Sequence, residues 1–437
     1  MRALVWSSAV AALLLTAGCS SGQSEVPASV PASAPASAAA ASDKVKALPQ
    51  GTPFDVTAAD MTIHSFNGKP TTKSGGFRMN CFPLWRAVEP TRGKYNWALF
   101  DDAIAKQKAW GAEDLLYSFC GTPEWAAGKV ADPSAEVFGP GSTATPKDLS
   151  DFEEYVRQVV RRYKGTIGAY EVWNEVSSPQ FFQGTPAQMA DMTEIVKRVV
   201  AKEDPKAIVT SASLQTHRAD YYDGFAVPYL KELRKRKWPV DVYNGHFYPA
   251  GKGGPEQRLA QIAMFRRTLA RLDAARKPVW DTEVNYYTGL PGGAPDGRIT
   301  GPRAVAWPVR TYLDGWRSDL RRNYWYFATQ EYDDFPGIQT RPQDPSSQAL
   351  ATFADWTVGS RFNGCDQKGA MVRCSVVRDG QEQFIAWAES DKAGSADAMA
   401  SYPLEGSAQV CELPDGACLT KKVVVLSESP VLIVPEG

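Results

Sequence analysis

The chain has 437 residues, with 48 Lys and Arg against 49 Asp and Glu, 43% hydrophobic and 22% charged. That composition excludes wholesale disorder, and the near-neutral balance argues against a nucleic-acid partner, which calls for a basic excess. The length accommodates one large domain with a smaller one, and a core of that size needs no disulfide to be stable. Thirteen Trp suit either sugar-stacking clefts or core packing, and composition alone does not choose between them.

Residues 1–18 read as a secretory signal, with Arg2 as the charged region and Ala3–Ala17 as an apolar stretch too short for a membrane span. It ends in Leu15-Thr16-Ala17-Gly18-Cys19, which resembles a bacterial lipobox and implies lipidation of Cys19; the alternative is ordinary cleavage after a small residue. Such a protein is an exported lipoprotein facing the periplasm or the cell exterior, and Ser20 favours the outer membrane in a Gram-negative cell. Residues 19–50 form a tether, with Pro-Ala-Ser at 27–29, 31–33 and 35–37 followed by an Ala run. No later run of 18 apolar residues occurs, so membrane contact is expected through the N-terminal lipid only.

Six further Cys remain, an even number that suggests disulfides in an exported protein. Cys365/Cys374 and Cys411/Cys418 are each close enough to staple a hairpin, leaving Cys81/Cys120 as the third pair. No Cys-x-x-Cys or Cys/His cluster points to zinc, and no other cofactor is expected.

From about residue 60 to 357, β-like and amphipathic helical segments alternate. Eight strands are expected at 61–66, 76–81, 114–119, 168–174, 207–213, 240–247, 277–283 and 323–328. Ser150 and Glu153 form a capping box ahead of the stripe Phe152, Val156, Val159, Val160 and Tyr163. Thr185, Pro186 and Gln188 open a second helix, with Met189, Met192, Val196 and Val199 facing inward. A third starts near Pro255 and carries Leu259, Ile262, Phe265, Leu269 and Leu272.

This alternation predicts an α/β fold, a (β/α)8 TIM barrel over 51–357. The alternative, a doubly wound open sheet, lacks its Gly-rich phosphate turn. Only Asn67–Gly75 separates the first two strands, too little for a crossover helix, so the first βα unit is expected to be truncated. Residues 358–437 read as a small antiparallel β-domain, with strands at 369–377, 382–388, 408–412 and 422–434, some of which are expected to pair with the segment before the barrel.

Barrel enzymes work at the C-terminal ends of the strands. Strand four ends in Glu171-Val172-Trp173-Asn174-Glu175, and strand seven in Asp281-Thr282-Glu283. Carboxylates at the ends of two apolar strands are costly unless used or paired, and facing carboxylates suit glycoside cleavage. Strict alternation puts Asp281 on the same side as Glu283 but deeper. His64, His217 and His246 also fall near strand ends, but without metal-ligand spacing.

The Trp-Asn-Glu and Thr-Glu endings resemble the large clan of retaining glycosidases on (β/α)8 barrels. Trp85-Arg86-Ala87-Val88-Glu89-Pro90, with Gly93, Tyr95, Trp97 and Asp101, narrows the resemblance to glycoside hydrolase family 39, as do Thr122-Pro123-Glu124-Trp125-Ala126 and His246-Phe247-Tyr248. The nearest likeness is to family-39-like proteins of bacterial exopolysaccharide clusters, in which the first βα unit is also shortened. Trp356, Gly359, Cys365 and Cys374 match their β-domain entry, and Val176 departs from the Pro that commonly follows the acid/base.

The resemblance implies Glu175 as acid/base, Glu283 as nucleophile, Asn174 as partner of a sugar 2-hydroxyl, and Arg78 as support for Glu283. It places His246 and Tyr248 at the sugar or at Glu283, Trp325 as a stacking platform, and Trp125 and His64 as further lining. The implied activity is retaining hydrolysis of a polysaccharide. The implied target is the cell's own exopolysaccharide, cut from within beside its synthesis and export machinery. The alternatives are a non-catalytic glycan-binding lipoprotein and a transglycosidase using the same site. Loops 126–148, 249–256 and 286–301 are long enough to wall a groove.

Overall fold

Eight strands lie parallel in one sheet: β1 (Thr62–His64), β2 (Gly76–Asn80), β3 (Asp114–Ser118), β4 (Ala169–Glu171), β5 (Ile208–Thr210), β6 (Tyr243–Gly245), β7 (Val279–Val284) and β8 (Asn323–Trp325). The computed structural model describes residues 51–65, 68–251, 253–274, 276–286, 298–326, 337–389, 399–404 and 406–436. The expected signal peptide, Cys19 and the tether therefore lie outside the described residues, as do 287–297 of the third expected wall loop. No helix among the described residues is long and apolar enough to cross a membrane.

The strand order is β5-β4-β3-β2-β1-β8-β7-β6. The two edges meet through the parallel bridges Thr210–Val242 and Gln215–His246, which close the barrel. Seven helices follow β2 to β8 in turn: α1 (Trp97–Ala109), α2 (Leu149–Arg162), α3 (Pro186–Glu203), α4 (Val227–Lys235), α5 (Pro255–Arg271), α6 (Pro302–Arg317) and α7 (Pro345–Thr357). No helix occurs among the described residues between β1 and β2, so the first βα unit is truncated as its spacing requires. The chain passes closely there: a Cβ on Gly75 would sit 2.8 Å from the Ala58 carbonyl carbon.

Alternation along the strands divides the core in two. Leu116, Ala169, Val242, Trp280 and Tyr324 fill the barrel interior, while Phe77, Leu115, Tyr170, Val209 and Trp325 belong to the larger core beneath the helices. The stripes expected on α2, α3 and α5 are buried, including Phe152, Val156, Met189, Val196, Ile262 and Phe265. On α3, Thr185 and Gln188 make the reciprocal capping box. The cap of α2 differs from expectation. Asp148, not Ser150, accepts a hydrogen bond from the Ser150 N–H at 2.9 Å, and the helix begins one residue before Ser150. Two candidate caps stand two residues apart, and the apolar stripe fits either start.

The C-terminal region adds β9 (Arg361–Lys368), β10 (Met371–Arg378), β11 (Gln381–Ala388), β12 (Ala400–Tyr402), β13 (Ala408–Glu412), β14 (Cys418–Lys421), β15 (Val424–Leu426) and β16 (Val431–Pro435). Seven strands form an antiparallel sheet: the short strand Phe54–Asp55, then β9, β10, β11, β16, β13 and β14. Phe54–Asp55 is the pre-barrel segment, so the chain enters the barrel from the β-domain's own sheet. The single strand expected at 422–434 is two elements, and β9, β12 and β14 are additional. Strand β9 reads as polar because it buries one face only, through Phe362 and Cys365, and carries an irregularity between Phe362 and Gly364. Helix α6 lies between the barrel and this sheet, which is why Ala306–Trp316 is buried on every side.

All three expected disulfides form, and Cys365–Cys374 and Cys411–Cys418 join directly opposed residues of hairpins. The third, Cys81–Cys120, is of a different kind. It links the segments that leave the neighbouring parallel strands β2 and β3, 39 residues apart, with the Cα atoms 5.5 Å from each other. One boundary is corrected there. The third strand was expected to run to 119, directly before Cys120, but β3 ends at Ser118, so Cys120 sits in the loop two residues beyond it. The Phe119 N–H still donates to the Glu171 carbonyl of β4 at 3.0 Å, and past it the carbonyl of Cys120 accepts from the Trp85 N–H at 2.9 Å instead of from a neighbouring strand. Cys120 Sγ also lies 3.7 Å from the Ser118 carbonyl. A disulfide sulfur has no hydrogen to donate, so that approach is packing and not a hydrogen bond.

Candidate active site

Glu171, on β4, points into the barrel, and four residues later the chain must present Asn174 and Glu175 to the same centre. A regular strand cannot aim adjacent side chains the same way. Here Glu175 has φ of +43°, an uncommon and strained value for a residue with a side chain. The turn is held by the Glu175 N–H donating to Ser213 Oγ at 2.9 Å and by the Ser178 N–H donating to the Glu175 carbonyl at 2.9 Å. On β7 the register against β8 shifts between Asp281 and Val284, so Thr282 and Glu283 both reach the interior groups.

That shift corrects the expectation for Asp281. Its carboxylate accepts from Arg258 of α5 at 2.8 and 3.0 Å and from the Phe247 N–H, and it belongs to the layer beneath the helices. Strict alternation fails because of the irregularity one step beyond Asp281.

Arg78, fully buried at the end of β2, organises the centre. It donates to Glu283 Oε2 at 2.7 Å, to Glu171 Oε1 at 2.7 Å and Oε2 at 3.3 Å, and to Asn174 Oδ1 at 2.7 Å. The other oxygen of Glu283 accepts from the Tyr248 hydroxyl at 2.9 Å. His64 on β1 lies 3.7 Å from Glu283 Oε2. Glu175 is held differently, by His246 Nδ1 at 2.9 Å from Oε1 and by Gln215 Nε2 donating to Oε2 at 3.0 Å. His246 Nε2 meets Thr282 Oγ1 at 3.1 Å.

The two carboxylates thus meet across the barrel mouth. Glu175, His246 and Glu283 each offer a ligand atom, all within 4.8 Å of one another. Glu175 and Glu283 remain 9% and 7% exposed, beside Gln215 at 7% and Tyr248 at 6%, while Arg78, Glu171, His64 and His246 are sealed, so the centre reaches solvent on the side of the two carboxylates. Burial, with the Glu171 charge behind it, pushes Glu175 up to about 7 against the pull of Arg78 and Gln215. Burial also raises Glu283, opposed by His246, Arg78 and the Tyr248 hydrogen bond. Burial acts on Glu171 in the same direction, but the Arg78 charge and hydrogen bond outweigh it and hold that carboxyl low.

Two carboxylates and an imidazole at this spacing are also the donors of a metal site. A divalent cation there would press against the Arg78 guanidinium, already 2.7 Å from Glu283. All four carboxylate oxygens of Glu175 and Glu283 already have hydrogen-bond partners. The donor set fits a cation poorly. His217, the third histidine, stands apart at 6.1 Å from the Tyr248 ring, and burial lowers it to about 4.

Glu175, Glu283, Asn174, Arg78, His246, Tyr248 and His64 therefore come together. Trp325 does not join them: it is fully buried beneath the helices against Tyr286 and offers no face to a sugar. Its neighbour Tyr326 faces the centre instead, 4.7 Å from His64 and 6.4 Å from Tyr248 between ring centroids. The dipeptide Trp325-Tyr326 offers two aromatics, and only the strand's phase tells them apart. Trp125 is half-buried outside the carboxylate cluster, donating to the Glu89 carbonyl with Arg92 over its ring. Sequence reasoning also missed Gln215, Asn244 and Thr282. Gln215 and Asn244 carry no local signature; Thr282 sits inside the Thr-Glu motif.

No family model matches the chain, and no curated protein matches it. Solved structures do. A family 39 glycoside hydrolase from Bacteroides cellulosilyticus aligns with a TM-score of 0.61 at 16% identity, covering 88% of this chain and 83% of that one. A glucosidase from Croceicoccus marinus aligns at 0.57 and 14%, covering 89% and 98%. A family 39 β-xylosidase from Caulobacter crescentus aligns at 0.57 and 15%, covering 82% and 88%. The chain thus shares the (β/α)8 barrel of glycoside hydrolases, and at these identities the likeness is one of fold.

Proposed function

We propose that the protein is a retaining glycoside hydrolase acting on a polysaccharide, with Glu175 as acid/base and Glu283 as nucleophile. The observation that carries this reading is the approach of the two carboxylates to within 4.8 Å at the solvent-reaching point of a buried polar centre. Retaining enzymes hold their carboxyl groups about 5–5.5 Å apart, whereas inverting ones leave about 6.5–9.5 Å for a water molecule. The surroundings divide the roles. Glu175, at about 7, is about half protonated at neutral pH, and its protonated form donates to the leaving glycosidic oxygen. Glu283 accepts from a guanidinium and a phenol, both of which favour its ionised form.

Attack by a Glu283 oxygen on the anomeric carbon forms an ester as the carbon–oxygen bond to the leaving sugar breaks, and that oxygen takes the Glu175 proton. Glu175, now a carboxylate, removes a proton from water. The hydroxide adds to the anomeric carbon and releases Glu283. Asn174, its carbonyl oxygen already held by Arg78, turns its amide NH2 toward the sugar 2-hydroxyl. Tyr326, where Trp325 was expected, is the aromatic available at the end of β8.

Anchoring through Cys19, placement beyond the inner membrane, and an exopolysaccharide substrate handled beside its export machinery belong to the same proposal. They rest on the lipobox-like Leu15–Cys19 segment and on the family resemblance. The test is release of new reducing ends from a panel of bacterial exopolysaccharides and plant glycans. Wild-type cleavage lost in both Glu175→Gln and Glu283→Gln is expected. Cleavage surviving in Glu283→Gln overturns the nucleophile assignment. Binding without cleavage by all three proteins means a glycan-binding module, and longer oligosaccharide products mean a transglycosidase.

A further inference from the structure

We propose that Thr282, oriented by Asn244 and Glu171, is a positioning residue that fixes the hydrogen on Nε2 of His246 and thereby requires the catalytic acid Glu175 to hold its proton against Nδ1. This rests on the assignment of Glu175 as the acid. Hydrogen-bond direction is set from a group that has no hydrogen to give. Glu171 accepts two hydrogen bonds from the buried Arg78 guanidinium and is a carboxylate. Asn244 meets Glu171 Oε2 at 2.9 Å, so its amide NH2 must be the side that faces it.

The Asn244 carbonyl oxygen then points to Thr282 Oγ1 at 2.8 Å. A carbonyl only accepts, and so does the Glu171 carboxylate, which Thr282 also reaches, so the single Thr282 hydroxyl hydrogen is committed to that side. Thr282 can therefore only accept from His246 Nε2 at 3.1 Å, and Nε2 carries a hydrogen. A neutral imidazole has one N–H, so Nδ1 is bare. It faces Glu175 Oε1 at 2.9 Å, and this contact is a hydrogen bond only when Oε1 supplies the proton. Gln215 Nε2 donating to Oε2 is compatible with that state.

Burial lowers His246, with the Arg78 cation acting in the same direction, and together they outweigh the Glu283, Glu171 and Asp281 carboxylates, which favour the imidazolium. His64 and His217, both pushed low by burial, and the protonated phenol of Tyr248 add no charge. His246 keeps one hydrogen throughout the reaction. The proton given to the leaving oxygen comes from Glu175, and the proton from water returns to Glu175. After the first transfer the carboxylate faces a bare nitrogen, which favours taking that proton back.

The chain has three histidines, so imidazole nitrogen NMR of 15N-histidine-labelled full-length protein resolves each tautomer without a substrate. The His246→Asn variant assigns the signal. At pH 6 we expect His246 with a protonated Nε2 and a bare Nδ1. Thr282→Val removes the acceptor and is expected to move the hydrogen to Nδ1. Thr282→Ser should keep the wild-type pattern, and unchanged His64 and His217 signals report intact folding. A wild-type His246 protonated on Nδ1 or on both nitrogens overturns the proposal. So does an unchanged tautomer in folded Thr282→Val. These readouts are independent of cleavage, so an inactive protein refutes the glycosidase reading without touching them. Once a substrate is known, Thr282→Val should move the basic limb of the kcat/KM profile down by about one pH unit, because an Nδ1–H donor stabilises the Glu175 carboxylate.

Discussion

A guanidinium removed from water needs carboxylates and hydrogen-bond acceptors, and Arg78 has an acceptor for every one of its nitrogens in Glu171, Glu283 and Asn174. The arrangement leaves Glu175 as the carboxyl without a direct cation contact, which is why burial prevails there. The consequence for stability has a definite sign. With a folded value of about 7 against 4.5 for the free side chain, the native state binds more protons than the unfolded chain between those pH values. The associated stability is present below pH 4.5 and is lost as pH rises through 7. Glu175→Gln removes that loss. At pH 8 the variant should be more stable than wild type by on the order of 2–3 kcal/mol, with the difference vanishing toward pH 4.5. Urea denaturation at the two pH values measures it; a variant no more stable at pH 8 than at pH 4.5, relative to wild type, refutes it. Backbone strain appears at the same residue, in the positive φ of Glu175.

At the scale of single elements, the strands and helix stripes of the barrel were legible because one face of each is buried and the 2.0 and 3.6 periods survive in the residues. Ends were less legible, as the early end of β3 before Cys120 and the cap of α2 both show. The Asp148/Ser150 ambiguity gives a direct check, since the structure assigns the cap of α2 to Asp148. Asp148→Ala should lower the melting temperature and Ser150→Ala markedly less, read by thermal denaturation. Equal effects would return the cap to Ser150. Strands β9, β12 and β14 carry little signal because each is short or buries a single face, and that leaves too few apolar positions to show a period.

In the whole molecule, residues 48–437 form one compact unit, and the β-domain closes over α6. The closure is ionic as well as apolar. Arg310 of α6, fully buried, meets Glu389 beyond β11 at 3.0 Å and Glu256 of α5 at 2.9 Å, and Arg317 also pairs with Glu389. Trp316 packs on Phe54 and Phe362, which carry the sheet onto the same helix. Breaking a buried pair by removing one partner costs about 3–5 kcal/mol. Glu389→Ala should therefore lower stability by that amount in a single transition shared by barrel and β-domain. Two separated calorimetric transitions in the wild-type protein would contradict a shared core.

The residues themselves determined the strand–helix alternation, the truncated first unit, the three disulfide pairs, and the presence of carboxylates at the ends of two strands. All of these are local patterns, written in periodicity and spacing, except that Cys81 and Cys120 were paired by being left over, and only the adjacency of β2 and β3 brings them together. The aim of individual side chains was decided only in three dimensions. Asp281 turned outward and Glu283 inward because of a register irregularity on β7, and Trp325 gave way to Tyr326 because of the phase of β8. The hydrogen-bonded path Glu171–Asn244–Thr282–His246–Glu175 joins residues from three strands up to 111 positions apart. Closure of the barrel brings them within 3.1 Å of their partners. No window of sequence contains that juxtaposition.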